Sequence, residues 1–176
     1  MNVLAISGSL RARSSNAALL DAVTRLAPAG MKVTRAASLG QLPHFNPDRD
    51  DAPPLEVVAW RARVAASDGL LICSPEYAHG IAGVTKNALD WLVSETAFAG
   101  KPVAVLNADP RSTHADASLR EVLVTMSAQL VEVPAIAAAG FEADAIVADD
   151  ALAAPLREAL RALQRAIEVR RLTPGR

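Results

Sequence analysis

The sequence predicts a doubly wound α/β sandwich, and three observations carry that expectation. Short apolar runs without polar alternation recur at Val3–Ile6, Met31–Ala36, Leu70–Cys73, Val103–Leu106 and Val133–Ala138, as strands covered on both faces require. Helical periodicity fills the segments after them, at Asn16–Ala27, Leu55–Ser67, Thr85–Val93, Ala117–Leu130 and Ala153–Val169. In that repeating β-α order, right-handed crossovers return each strand parallel to the last and stack helices on both faces of one sheet.

The first run, VLAI, feeds GSLRARSSN, whose serines and asparagine suit a helix start. The second run is weaker. After it, Ser38–Pro54 carries four prolines and little periodicity, so it reads as a long loop, functional or mobile. The third run holds the single cysteine, Cys73, in a setting that suits a small buried hydrophobe. The last helix sets Leu156, Leu160, Leu163 and Ile167 in a stripe between charged residues and ends in arginines. Five strands fit the flavodoxin-like order 2-1-3-4-5 better than a six-stranded Rossmann sheet.

A length of 176 residues fits one domain, 1–176. With 51% apolar and 21% charged residues and a net charge of −1, the composition is that of a soluble globular protein without a nucleic-acid-binding face. Aromatics make up only 3%, so small side chains must fill the core. No basic leader and no apolar run of about 20 residues is present, which predicts a cytoplasmic protein that does not enter a membrane. Three histidines without paired ligand spacing leave no metal site in view. A GxSxG elbow, a GxxxxGK[ST] loop and a GxGxxG fingerprint are absent as well.

In open α/β sheets, ligands bind beyond the carboxyl ends of the strands where the strand order reverses. GSLRARSSN sits there and opens a helix, whose free N–H groups and positive dipole end favour an anion. Ser9, Ser14, Ser15 and Asn16 add side-chain donors, and Arg11 adds a planar cationic fork matched to phosphate oxygens. The stretch SPEYAHG after the third strand opens on the same crevice. There Pro75 and Gly80 shape a turn and Tyr77 offers a flat face, suited to a planar ring, while Glu76 and His79 fit either loop pairing or ligand contact. A third loop, NADPRSTHADA, supplies Arg111, Ser112 and His114 as polar candidates. Thr85 is expected to cap the following helix, and Trp91 to pack inside or at an interface.

Two blocks resemble the NADPH-dependent FMN reductases of flavodoxin-like fold: GSLRxxSxN over Gly8–Asn16 and PEYxxxxxGxxKNAxDW over Pro75–Trp91. LPHFNPD at Leu42–Asp48 resembles the same family's connecting loop. The resemblance implies FMN and NADPH (or NADH) as cofactors, with the flavin carrying hydride from the nucleotide to a small-molecule acceptor in ping-pong fashion and no protein residue acting as acid, base or nucleophile. It places the phosphate on Ser9, Arg11, Ser14, Ser15 and Asn16, and the ring beside Pro75, Glu76, Tyr77, Ala78, His79 and Gly80. Asp109 and Arg111 stand at the flavin edge, where many members have paired glycines. A homodimer or homotetramer is implied too. The alternatives are an FMN-binding electron carrier and a member that has lost its flavin.

Overall fold

Strand β1 (Asn2–Ser7) leads into helix α1 (Ser15–Leu26), and β2 (Lys32–Arg35) into a long connection and α2 (Leu55–Ala65). Strand β3 (Gly69–Cys73) is followed by a hairpin of two short strands, β4 (Glu76–Tyr77) and β5 (Gly80–Ile81), and by α3 (Gly83–Asp90). Then come β6 (Pro102–Val105), α4 (Thr113–Thr125), β7 (Gln129–Val131), α5 (Ala143–Ala148) and α6 (Asp150–Leu172). The computed structural model describes residues 1–172.

The main sheet is parallel throughout, in the order β2-β1-β3-β6-β7. With the hairpin set aside, this is the expected 2-1-3-4-5 order, and the reversal falls after β1, which lies between β2 and β3. Alternate residues along each strand face opposite layers. Val3, Ala5, Leu71, Cys73 and Ala104 pack with Leu19 and Leu20 of α1 and with Leu156, Leu160 and Leu163 of α6. Leu4, Ile6, Leu70, Ile72, Val103 and Val105 pack with Val57 and Trp60 of α2, Leu89 of α3 and Leu119 and Leu123 of α4. Each fully buried large aliphatic side chain contributes about 1.5–3 kcal/mol, which is why these runs read as continuous apolar stretches.

The structure corrects several expected elements. The fifth strand lies at Gln129–Val131, ahead of the apolar run Val133–Ala138 that was expected to form it. Pro134 offers no N–H to a ladder, and the run instead forms no regular element, with Ile136 and Ala138 buried. Helix α4 ends at Thr125 because Ser127 adopts a left-handed φ of 61°. Ala128 N–H then donates to Leu123 O (2.9 Å) and Ser127 N–H to Val124 O (2.8 Å), a Schellman closure with serine where glycine is usual. Helix α5 and the β4–β5 hairpin were not expected.

Thr85 does not cap α3, which begins two residues earlier. It is buried, with its hydroxyl 3.1 Å from that of Ser74. Trp91 is wholly buried, so it is not an interface residue. Its Nε1 donates to Pro43 O (2.8 Å), and Phe45 meets its ring edge-on at 5.0 Å. Asn87 holds the same loop, donating to Pro43 O (3.0 Å) and accepting from Phe45 N–H (2.8 Å). The proline-rich connection is thereby fastened to α3, with Leu39 buried in the core.

Candidate functional site

The loops at the carboxyl ends of β1, β3 and β6 converge on a crevice of about 220 Å³. Gly8 makes their approach possible. A Cβ there would lie 2.1 Å from Thr85 Oγ1 and 2.8 Å from Ser74 Oγ, so any side chain would push the first loop off the second. Gly8 N–H also continues the ladder, donating to Cys73 O (2.8 Å).

Of the expected site residues, Ser9, Arg11, Ser14, Ser15, Asn16, Pro75, Glu76, Tyr77 and Asp109 line this crevice. Ser14 is the N-cap of α1, its Oγ accepting from Ala17 N–H (3.1 Å). Ser15 Oγ accepts from Gly140 N–H (3.0 Å), and Ser9 Oγ from Arg11 N–H (3.3 Å). Each hydroxyl keeps its own hydrogen to donate. Asn16 is largely buried, and its Oδ1 accepts from the Cys73 thiol (3.1 Å). Burial pushes that thiol up to about 12, so Cys73 is an inert core residue.

The two arginines of the loop differ. Arg13 is paired with Glu142 (2.6 Å), whereas Arg11 forms no ion pair among the described residues and lies on the crevice wall. The first N–H groups of α1, on Ser15 and Asn16, also make no hydrogen bond within the described residues. A cation and the open end of a helix therefore face one crevice, the donor set a phosphate monoester requires.

The second loop is a hairpin whose turn residues Ala78 and His79 have φ of 49° and 58°, the twist of a two-residue primed turn. Alanine is costly in this conformation because its Cβ crowds the backbone. These two residues and Gly80 stand at the tip, outside the crevice lining. Glu76 has a structural task. Its Oε2 accepts from Ala115 N–H in the first turn of α4 (2.9 Å), and its Oε1 lies 3.2 Å from His79 Nδ1. The Ala115 N–H, and after it His79, hold the Glu76 carboxyl below the usual range. This bond supplies the cap that Ser112 does not make. His79 and His114 meet edge-on at 4.5 Å.

The third loop is closed on itself. Arg111 grips Asp109 with Nε (2.9 Å) and a terminal nitrogen (2.8 Å), and its N–H donates to Asp109 Oδ1 (3.0 Å). This grip holds the Asp109 carboxyl down to about 2. Asp109 N–H donates to Asn107 Oδ1 (3.1 Å) and Ser112 N–H to Asp109 O (2.9 Å). The Arg111 side chain is 87% exposed and stands outside the crevice.

Ser74, Asn107, Ala108, Ser112 and Ala139 also line the crevice. Ser74 follows β3 directly and Asn107 stands two residues beyond β6, at the starts of the second and third loops, a position that marks them as lining residues. Nothing in the sequence marks Ala139, brought in where Gly140 meets Ser15. A larger cavity of about 460 Å³ lies at the opposite end of the sheet. There the buried Lys101 amine donates to Ser67 O (2.5 Å), and burial pushes it down to about 8. That bond ties the start of β6 to the turn after α2.

Residues 1–143 match the family described as NADPH-dependent FMN reductase. The chain is 36% identical over 183 aligned residues to NAD(P)H-dependent FMN reductase PA1204 of Pseudomonas aeruginosa, covering 98% of this chain and 97% of that protein. It is 30% identical over 141 residues to the quinone reductase of Escherichia coli strain K12, covering 76% and 75% of the two chains. Among solved structures, FerB, a flavoenzyme NAD(P)H:(acceptor) oxidoreductase from Paracoccus denitrificans, superposes with a TM-score of 0.77 at 27% identity, covering 94% of this chain and 98% of that one. The chain belongs to the NADPH-dependent FMN reductase family and is an FMN-dependent oxidoreductase.

Proposed function

We propose that the crevice holds FMN, and that the protein moves hydride from NAD(P)H to a small acceptor of the quinone or flavin class in two alternating half-reactions. The observation that carries this reading is the pairing of the uncommitted Arg11 with the open N-terminus of α1 at the sheet's reversal point. FMN supplies the hydride chemistry when bound. The chain's work is to hold and orient it.

Arg11, the Ser15 and Asn16 amides and the hydroxyls of Ser9, Ser14 and Ser15 neutralise and fix the phosphate. Asn16, held by Cys73, keeps the helix start against β3. Pro75, Glu76 and Tyr77 border the ring, and Ala78, His79 and Gly80 form the hairpin tip at its rim. The Ala78 and His79 N–H groups make no hydrogen bond within the described residues, so they are the donors suited to charge that develops at the ring edge. Asp109 and Arg111 fix the third loop that bounds the other side. The whole chain acts as one flavin-binding domain, cytoplasmic and self-associating. Exposed Leu55, Val58 and Val93 favour association, and sedimentation tests it. No helix of the described residues is long and apolar enough to cross a membrane.

The test is optical. Purified protein should bind FMN, and anaerobic NADPH or NADH should bleach the flavin bands in one step, with a quinone restoring them. Flavin that stays oxidised under both nucleotides would point to an electron carrier instead. A chain that binds no FMN would have kept the fold without the chemistry.

A further inference from the structure

The loop between β1 and α1 is fastened at both ends to one residue. Gly8 N–H donates to Cys73 O (2.8 Å), and the Cys73 thiol donates to Asn16 Oδ1 (3.1 Å). Cys73 stands fully buried at the end of the central strand β3. Burial keeps its thiol protonated at neutral pH, so the sulfur offers a hydrogen to Asn16.

The Asn16 amide is left half used. Asn16 is only 7% exposed, yet it lines the crevice. Its NH₂ group has no hydrogen-bond partner among the described residues, where Asp116 Oδ1 is the one unpartnered side-chain polar atom that is closed off altogether. The Asn16 NH₂ is therefore open to the crevice. Buried amides are rarely left without partners. Packing alone asks for an apolar side chain here, as at Leu19 and Leu20 of the same helix.

We infer that Cys73 is a positioning residue for the flavin: its thiol holds Asn16 Oδ1 and so turns the Asn16 NH₂ into the crevice, where it donates to an oxygen of bound FMN. The inference rests on the flavin reading above. With the amide reversed, NH₂ would face S–H, two donors with only a weakly accepting sulfur between them. The thiol is a weak donor, so its contribution is direction more than strength. Valine would fill the same core position, but only a donor can choose between the two ends of the amide.

The experiment is an FMN titration followed by flavin fluorescence, with a thermal melt of each variant to read the fold separately. Cys73→Val and Cys73→Ala both remove the donor but differ in volume. Each should weaken FMN binding roughly three- to tenfold, as for one hydrogen bond, and either one that melts cooperatively carries the comparison. Cys73→Ser restores a donor and should bind FMN within about twofold of wild type, whatever its melting temperature. Asn16→Ala should lose at least as much as Cys73→Val. Adding Cys73→Val to Asn16→Ala should then cause no further loss, because the thiol acts through that amide. Loss in Cys73→Ser equal to that in Cys73→Val, losses that follow side-chain volume instead of the donor, or losses that add in the double variant would overturn the role of Cys73. A wild type that binds no FMN would overturn the flavin reading itself.

Discussion

The first and third loops border the same crevice and each presents an arginine, yet they use their polar groups in opposite ways. Among the described residues, the loop after β1 leaves the Arg11 guanidinium and the first amides of α1 without partners, so its charge and donors are open to a ligand. The loop after β6 turns inward. Arg111 is clamped on Asp109, and the N–H groups of Asp109, Arg111 and Ser112 are all bonded within the loop, while Pro110 has none to give. An arginine in a loop is therefore a ligand contact only when its partners inside the fold have been counted. One loop binds, and the other builds a wall.

The largest effect should come from the position that joins the loops. Gly8→Ala drives a Cβ into Thr85 and Ser74; overpacking of this kind costs about 1–3 kcal/mol and should also remove most FMN affinity. A thermal melt and a flavin titration read both, and wild-type values in each would mean that the loops do not depend on this approach. Next is Arg11→Ala. Loss of a charge-assisted hydrogen bond, about 1.5–3 kcal/mol, should weaken FMN binding roughly 10- to 150-fold with little change in melting temperature.

Glu76 sharpens the comparison from the second loop. Its carboxyl is held below the usual glutamate range, chiefly by the Ala115 N–H. The stabilisation it gives is therefore present above the unfolded-state value and lost as pH falls through the lower folded value. Wild type and Glu76→Gln should differ in stability at neutral pH and converge in acid; a constant gap across pH would rule out this linkage. The smallest effect is at the hairpin tip. Ala78→Asn relieves left-handed strain of about 1 kcal/mol and should raise the melting temperature slightly, and a decrease would contradict the assigned turn.

The sheet order was legible because strands covered on both faces need unbroken apolar runs, and β1, β3 and β6 have them. The edge strand β7 was not, because pairing only β6 leaves Gln129 exposed and Leu130 half-buried. The neighbouring run that looked more like a strand contains Pro134. The end of α4 was hidden by Ser127, which takes a conformation that glycine usually announces. At the site, motif spacing identified Arg11 and the serines. Spacing carries no record of which groups the fold satisfies internally, so it gave Arg111 the same standing as Arg11. Glu76 was open between pairing and ligand contact, and only the packing of the hairpin on α4 gives it the role of a cap.

The most direct measurement is a side-by-side FMN titration of Arg11→Ala and Arg111→Ala, followed by flavin fluorescence. Arg11→Ala should lose at least about tenfold in affinity, and Arg111→Ala should change within about twofold, as for most exposed charge pairs. Equal losses, or a larger loss for Arg111→Ala, would contradict the claim that the first loop binds the flavin phosphate while the third only shapes the crevice.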